Sequence, residues 1–254
     1  VTFIQAIIIG IVEGFTEFLP ISSTAHILIV QKIFGIVLDE SATTFTISVQ
    51  LGSILAAAIL YIRQFLSVQK VAELIVALLP TVIAGIFIYP FIRVLFSNVL
   101  YIVPWTLIGG GILMLLGERV YKKRKQVESG ELGFKEKVLL GCAQTLALVP
   151  GVSRSAAMIA TGLFANFPRR AVTSFTFILA VPTMFSATLY DIYKTQTPIT
   201  ALLTPSFCFG FITAFFVALF SIRFMLFLVQ KYTFTPFAWY RIVLGISIAL
   251  FLYV

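Results

Sequence analysis

Charge is scarce in this chain of 254 residues: Asp, Glu, Lys and Arg together make up 11% of it. A soluble domain of this size needs roughly 25% to cover its surface. With 60% hydrophobic residues and a mean hydropathy of +1.06, a soluble fold would leave far too much apolar area in water. Cysteine is scarce as well. Cys142 and Cys208 both stand in apolar surroundings and read as packing residues, not as a redox or metal pair. Histidine occurs once, at His26. No cleavable signal is visible, and the chain opens at Val1, so an initiator methionine is expected ahead of it. A net charge of +8 can signal nucleic-acid binding, but here the basic residues sit between apolar runs. That pattern orients a membrane protein, and no nucleic-acid partner is expected.

What is abundant is long apolar sequence. Charge-free stretches run over 41–62, 74–92, 94–117, 171–190 and 195–222, and a last apolar run covers 236–254. Each is long enough to cross a hydrocarbon core of ~30 Å as a helix. Pro198 and Pro205 delay the start of the fifth. Six spans are expected, at 41–62, 71–95, 98–119, 170–191, 205–229 and 236–254, with Arg241 near one end of the last and free to snorkel to the headgroups. Four other apolar stretches, 1–12, 18–31, 138–153 and 155–168, are too short to span and come as two adjacent pairs. A proline in a polar turn breaks each pair: Leu19-Pro20-Ile21-Ser22-Ser23 and Val149-Pro150-Gly151-Val152-Ser153. Proline interrupts the helix ladder and serine caps the next helix. The pairs are expected to be re-entrant hairpins at 1–35 and 136–167, buried in protein or lining a watery cavity.

The two pairs belong to two halves. Gly10-Ile11-Val12-Glu13 echoes Gly141-Cys142-Ala143-Gln144, and Thr43-Thr44-Phe45-Thr46 echoes Thr173-Ser174-Phe175-Thr176. Trp105, Ile108, Gly111 and Ile112 echo Trp239, Ile242, Gly245 and Ile246. Three echoes in the same order predict a repeat. The expected fold is an all-α integral membrane protein with inverted-repeat architecture. Residues 1–125 and 126–254 each supply one re-entrant hairpin and three transmembrane helices, so the second half is inverted relative to the first. Arg119, Lys122, Lys123, Arg124, Lys125, Lys135 and Lys137 crowd the linker, which should be cytoplasmic. Arg63, Lys70, Arg169, Arg170, Arg223, Lys231 and Arg241 then fall inside too, and only Lys32, Arg93 and Lys194 outside. Both termini should face outside, with the hairpin tips meeting near the middle.

The chemistry concentrates at the two breaks. Glu13 and Glu17 lie four apart on one helix face, in an apolar segment where an ionisable group is costly and normally functional. Two neighbouring carboxylates repel unless a cation lies between them, so Mg²⁺ or Ca²⁺ held with phosphate oxygens is the expected cofactor. Ser22, Ser23 and His26 come next. Ser23 with His and Glu nearby fits an activated nucleophile, while Ser22 fits a helix cap or a ligand contact equally well. The second break carries Ser153, Arg154 and Ser155, and a guanidinium beside hydroxyls and free backbone N–H groups fits phosphate. Both returning half-helices point their N-termini at the same region, which favours an anion there. Carboxylates, a nucleophile, an arginine and two positive helix ends suit metal-assisted phosphoryl transfer.

These residues also carry a specific likeness. The run from Glu13 to His26 (Glu13-Gly14-Phe15-Thr16-Glu17-Phe18-Leu19-Pro20-Ile21-Ser22-Ser23-Thr24-Ala25-His26) resembles the first signature of the undecaprenyl-diphosphate phosphatase family, also called bacitracin-resistance proteins. Pro150-Gly151-Val152-Ser153-Arg154-Ser155 resembles its second, and the likeness extends to Val49-Gln50-Leu51-Gly52 and Phe237-Ala238-Trp239-Tyr240-Arg241-Ile242. The resemblance implies a bacterial plasma-membrane enzyme that hydrolyses a C55 polyprenyl diphosphate to its monophosphate, recycling the carrier of cell-wall precursors, with its active site on the outer side. It implies metal and acid–base roles for Glu13 and Glu17, Ser23 and His26 as nucleophile and partner, and Arg154 on phosphate with Ser153 and Ser155 beside it. The family usually has Gly-Ala-Thr where this chain has Ala156-Ala157-Met158, and Gly where it has Ala25. A hydroxyl contact at 158 is therefore absent. The main rival is an inverted-repeat transporter or flippase of polyprenyl phosphate lipids. A purely structural subunit is disfavoured, because buried Glu, His and Arg are costly without a use. Gly109-Gly110-Gly111 permits close helix contact, either in a homodimer or within one chain.

Overall fold

A computed structural model describes residues 1–37, 40–125, 130–195 and 204–253. The expected boundary at 125/126, the Lys194 side chain and the final residue of the last span fall on or beside residues outside that set. Among the described residues the chain is helical and contains no strand. Its α-helices are α1 (Phe3–Thr16), α2 (Ser23–Ile33), α3 (Glu40–Leu60), the one-turn α4 (Ile62–Phe65), α5 (Val68–Ser97), α6 (Val99–Lys123), α7 (Phe134–Gln144), α8 (Arg154–Phe164), α9 (Arg169–Thr195), α10 (Pro205–Lys231) and α11 (Thr235–Tyr253). A 3₁₀ turn, Thr145–Leu148, follows α7.

Among the described residues, five helices are long and apolar enough to cross a membrane: α5, α6, α9, α10 and α11. The protein is thus an all-α, multi-pass membrane protein. The sixth expected span coincides with α3, whose describable apolar part, Phe45–Leu60, is shorter than those five. Many large apolar side chains turn outward around an apolar core, and several ionisable and amide side chains turn inward. Phe87 is 80% exposed and Phe251 75%, while Glu13, Gln144 and Arg241 are fully buried. Lipid is as apolar as phenylalanine, so packing and hydrogen bonding, not the hydrophobic effect, hold such helices together.

The same backbone devices occur twice, about 130 residues apart. α1 opens with Thr2 N–H donating to the Gln5 side chain (2.8 Å), and α7 with Gly133 N–H donating to Glu136 (2.7 Å). α2 and α8 are each 11 residues long. Each begins after a serine with positive φ, 73° at Ser22 and 68° at Ser153. Each serine hydroxyl accepts from the backbone N–H three residues on, that of Ala25 or Ala156. Both half-helices end alike. Gly35 and Asn166 take left-handed φ of 63° and 64°, and the next residue donates back to the last turn: Ile36 N–H to Gln31 O (2.9 Å), Phe167 N–H to Gly162 O (2.8 Å).

Packing follows the same parallel. α1 lies along α10 with its chain direction, since Phe3 meets Phe209 and Phe15 meets Phe224. α7 lies along α5, also in parallel, from the Lys137–Glu73 ion pair to Gly141 against Ala77. Gly10 and Gly141 hold equivalent places in these crossings. A Cβ at Gly10 would sit 2.5 Å from the Gly210 carbonyl, and one at Gly141 would strike the Ala77 carbonyl, so neither crossing tolerates a side chain. α6 and α11 pack against each other. There Gly110 faces Arg241 and Gly111 faces Ala238 and Ile242 of the same chain. Of the two alternatives for the glycine run, two of its three glycines thus take the one within a single chain.

Candidate functional site

The two breaks meet. Ser155 Oγ, at the start of α8, donates to the Leu19 carbonyl of the first break at 3.1 Å. Having given its proton there, it can only accept from Ser153 Oγ, 3.0 Å away. Ser22 and Ser153 therefore both serve as caps, and the α2 and α8 N-termini converge on one spot.

Glu17 joins the two sides. Its Oε2 accepts from Ser23 Oγ at 2.6 Å, and its Oε1 accepts from Arg154 Nη2 at 3.1 Å. No Lys or Arg is near Glu17 in sequence; its counter-ion comes from the other half of the chain. The Arg154 side chain is 9% exposed and that of Glu17 6%, so the pair sits out of water. Removing one partner of such a pair leaves a buried charge, at a cost of about 3–5 kcal/mol. Arg154 Nε and Nη1 have no hydrogen-bond partner among the described residues, nor has either oxygen of Glu13. Buried polar atoms are normally satisfied. Two guanidinium nitrogens and a carboxylate without partners beside a paired Glu17 could bind an anion on one side and a cation on the other.

His26 stands apart from Ser23. Its Nδ1 lies 2.7 Å from the Ser22 carbonyl, which only accepts, so this nitrogen carries the proton. In the neutral ring Nε2 then accepts from Tyr240 Oη, also 2.7 Å away, and the two rings stack at 5.6 Å and 7°. The Ser23 hydroxyl is bonded to Glu17, not to His26. Met158, where the usual hydroxyl is missing, is fully buried in the main apolar core.

Arg241 corrects an expectation. A snorkelling arginine would be exposed and end-facing. Instead this side chain is completely buried between the breaks. Its Nη1 donates to Pro20 O, and its Nη2 to Thr106 O, Gly151 O and Val152 O, at 2.9 to 3.3 Å. The start of α11 faces the middle of the protein rather than a membrane surface at this residue, because the carbonyls freed by two broken helices need donors. Thr106 adds a bond from its hydroxyl to Pro150 O at 2.9 Å. Tyr240, Arg241 and Thr106 are not among the expected site residues, although the run holding Tyr240 and Arg241 is part of the family likeness.

Among the described residues no group of three or more His, Cys, Asp or Glu side chains could hold a metal. Glu13 and Glu17 are only two such ligands, so a divalent ion here would need oxygens from substrate and water.

The family described as "Bacitracin resistance protein BacA" matches residues 6–247. The chain belongs to that family. Among its relatives in the BacA family, the undecaprenyl-diphosphatase of Sulfurihydrogenibium sp. (strain YO3AOP1) is 43% identical over 96% of this chain and 97% of its own length. That of Wolinella succinogenes is 41% identical over 98% of this chain and 97% of its own length. That of Methanococcus aeolicus is 36% identical over 98% of each.

Proposed function

We propose that this BacA-family protein is an undecaprenyl-diphosphate phosphatase, cleaving the C55 polyprenyl diphosphate carrier to its monophosphate and inorganic phosphate. The relatives just described bear the name of that activity along nearly their whole length. The observation that carries the reading is the single carboxylate, Glu17, bonded at once to a hydroxyl and to a guanidinium whose other two nitrogens have no partner among the described residues.

In this reading the terminal phosphate lies between the α2 and α8 N-termini, with an unpartnered Arg154 nitrogen, Nε or Nη1, donating to one of its oxygens. Ser23 Oγ attacks the terminal phosphorus, and its proton passes to Glu17 Oε2. The bond from that phosphorus to the bridging oxygen breaks, and polyprenyl monophosphate leaves with the electron pair. Water then attacks the phosphoserine phosphorus, the Ser23 O–P bond breaks, Ser23 regains a proton, and phosphate departs. Arg154 balances charge on the transferring group throughout. His26, tied to the Ser22 carbonyl, holds the turn of chain that carries Ser23. Glu13 and Glu17 would hold Mg²⁺ or Ca²⁺, which when bound neutralises diphosphate charge. Every residue invoked comes from one copy, so the chemistry does not require a homodimer.

The architecture that serves this is an inverted repeat, 1–125 and 126–254, each half one re-entrant hairpin and three spans. The twice-used caps and the parallel α1–α10 and α7–α5 pairings support it. In a bacterial plasma membrane the basic linker faces the cytoplasm, and both termini and the substrate entrance face outside. Cysteines placed singly near Lys125 should resist an impermeant thiol reagent in intact cells; ready labelling there refutes the orientation.

The function itself is tested with purified protein in detergent, given polyprenyl diphosphate and Mg²⁺ or Ca²⁺. Phosphate release is expected. Protein that binds the lipid diphosphate but releases no phosphate would turn the pocket over to lipid transport.

A further inference from the structure

Arg241 is a fully buried cation whose hydrogen bonds all go to backbone carbonyls. Each lies where a helix has been broken or is crossed by another. Pro20 O belongs to the segment between Glu17 and Ser23. Gly151 O and Val152 O immediately precede Ser153 and Arg154. Thr106 O lies on α6, the helix that also holds Pro150 through the Thr106 hydroxyl. One planar fork therefore touches the backbone of both breaks and the helix behind them. A guanidinium has the rigid, multi-donor shape for this, and a lysine does not. Burial of such a charge is expensive even with these bonds, and Arg241 Nε has no partner among the described residues, so an arginine buried here needs a reason.

We infer that Arg241 is a positioning residue that sets the spacing between the Ser23–Glu17 break and the Arg154 break. It lies behind the site and acts only through backbone. The spacing it fixes is the one across which Arg154 reaches Glu17 at 3.1 Å. Phosphoryl transfer demands that nucleophile and phosphate ligand be aligned closely, and small misplacements cost large factors in rate. The inference rests on the phosphatase reading for its kinetic consequence, but not for its geometric one.

Gly110 supplies a way to test this without touching the charge. A Cβ at Gly110 would collide with Arg241 Nη2, whereas a Cβ at its neighbour Gly109 meets nothing within 4 Å. The colliding atom is the end of a flexible side chain, so Gly110→Ala should fold and displace the fork from its carbonyls. The experiment compares wild type, Gly110→Ala, Arg241→Lys and Gly109→Ala. Each is made in a background with Cys142→Ala and Cys208→Ala, with and without cysteines at Ile21 and Val152. Two quantities are read: kcat and KM per folded molecule for polyprenyl diphosphate, and the yield of oxidative cross-linking between the two introduced cysteines. Gly110→Ala and Arg241→Lys should lower kcat at least ~10-fold with KM little changed, and should reduce cross-linking several-fold. Gly109→Ala should match wild type in both. Wild-type kcat per folded molecule together with wild-type cross-linking in Gly110→Ala and Arg241→Lys would overturn the inference. If wild type releases no phosphate yet the cross-link still depends on Arg241 and Gly110, the phosphatase reading fails and the spacing role stands. If Arg241→Lys proves too unstable to purify, Gly110→Ala decides alone.

Discussion

The two breaks share a backbone and divide the chemistry. Each has a serine with positive φ capping an 11-residue half-helix that ends in a left-handed turn. Yet the side chains at matching places differ. Glu13 answers to Gln144, Glu17 to Leu148 and Ser23 to Arg154. The first break holds the carboxylates and the Ser23 hydroxyl; the second holds the cation. Gln144 is as buried as Glu13, but its amide is bonded to Thr81 and Thr183, while the Glu13 oxygens are bare. Gln144 is tied to its neighbours, while Glu13 has no partner among the described residues. The two matching breaks bring two helix N-termini together, and each side supplies a group that the other lacks.

That division can be broken at its joint. Glu17→Gln keeps the shape but can neither take the Ser23 proton nor pair with Arg154 as an anion. Phosphate release should fall about 10³-fold, within the range for loss of a general base. An effect below about tenfold would mean that the two sides do not work through Glu17. Arg154→Lys keeps the charge and loses the fork, and kcat should drop roughly 10²-fold, as for loss of one preorganised donor. Turnover near normal would make Arg154 structural only. The shared part of the scaffold should respond symmetrically and far more weakly. Ser22→Ala and Ser153→Ala each remove a cap, worth about 1 kcal/mol. Thermal melting in detergent should therefore show similar modest losses in both, and a large loss in only one would deny that the two caps are equivalent.

Much of this is legible in the sequence, and the parts that are not share a cause. Pro20 and Pro150 inside short apolar pairs locate both breaks, because a proline removes a helix donor wherever it stands. Glu13 and Glu17 four apart in an apolar segment mark the costly groups. The carboxylates and Arg154 are expected in one site, but the bond between them is not legible. Arg154 reaches Glu17 from the other half of the chain, and no local pattern records that. Arg241 has the sequence position of a surface anchor because it lies near a helix end, but whether a helix end sits at the membrane surface or at the centre of the protein is decided by packing. The glycine run on α6, which permits close contact in a dimer or within one chain, lies far from Arg241 in sequence and sets Gly110 against the guanidinium in the fold. The Ser23–His26 spacing suits one helix face, but the 2.6 Å bond from Ser23 goes across the turn to Glu17.

The most direct test of the account is Ser23→Ala, with lipid diphosphate binding and phosphate release measured on the same folded sample. The hydroxyl is assigned the attack, and Arg154 with the two helix ends the grip. Binding should therefore survive while release falls to the background of enzyme-free controls. Release at most of the wild-type rate would contradict the serine attack and leave water or His26 as the nucleophile.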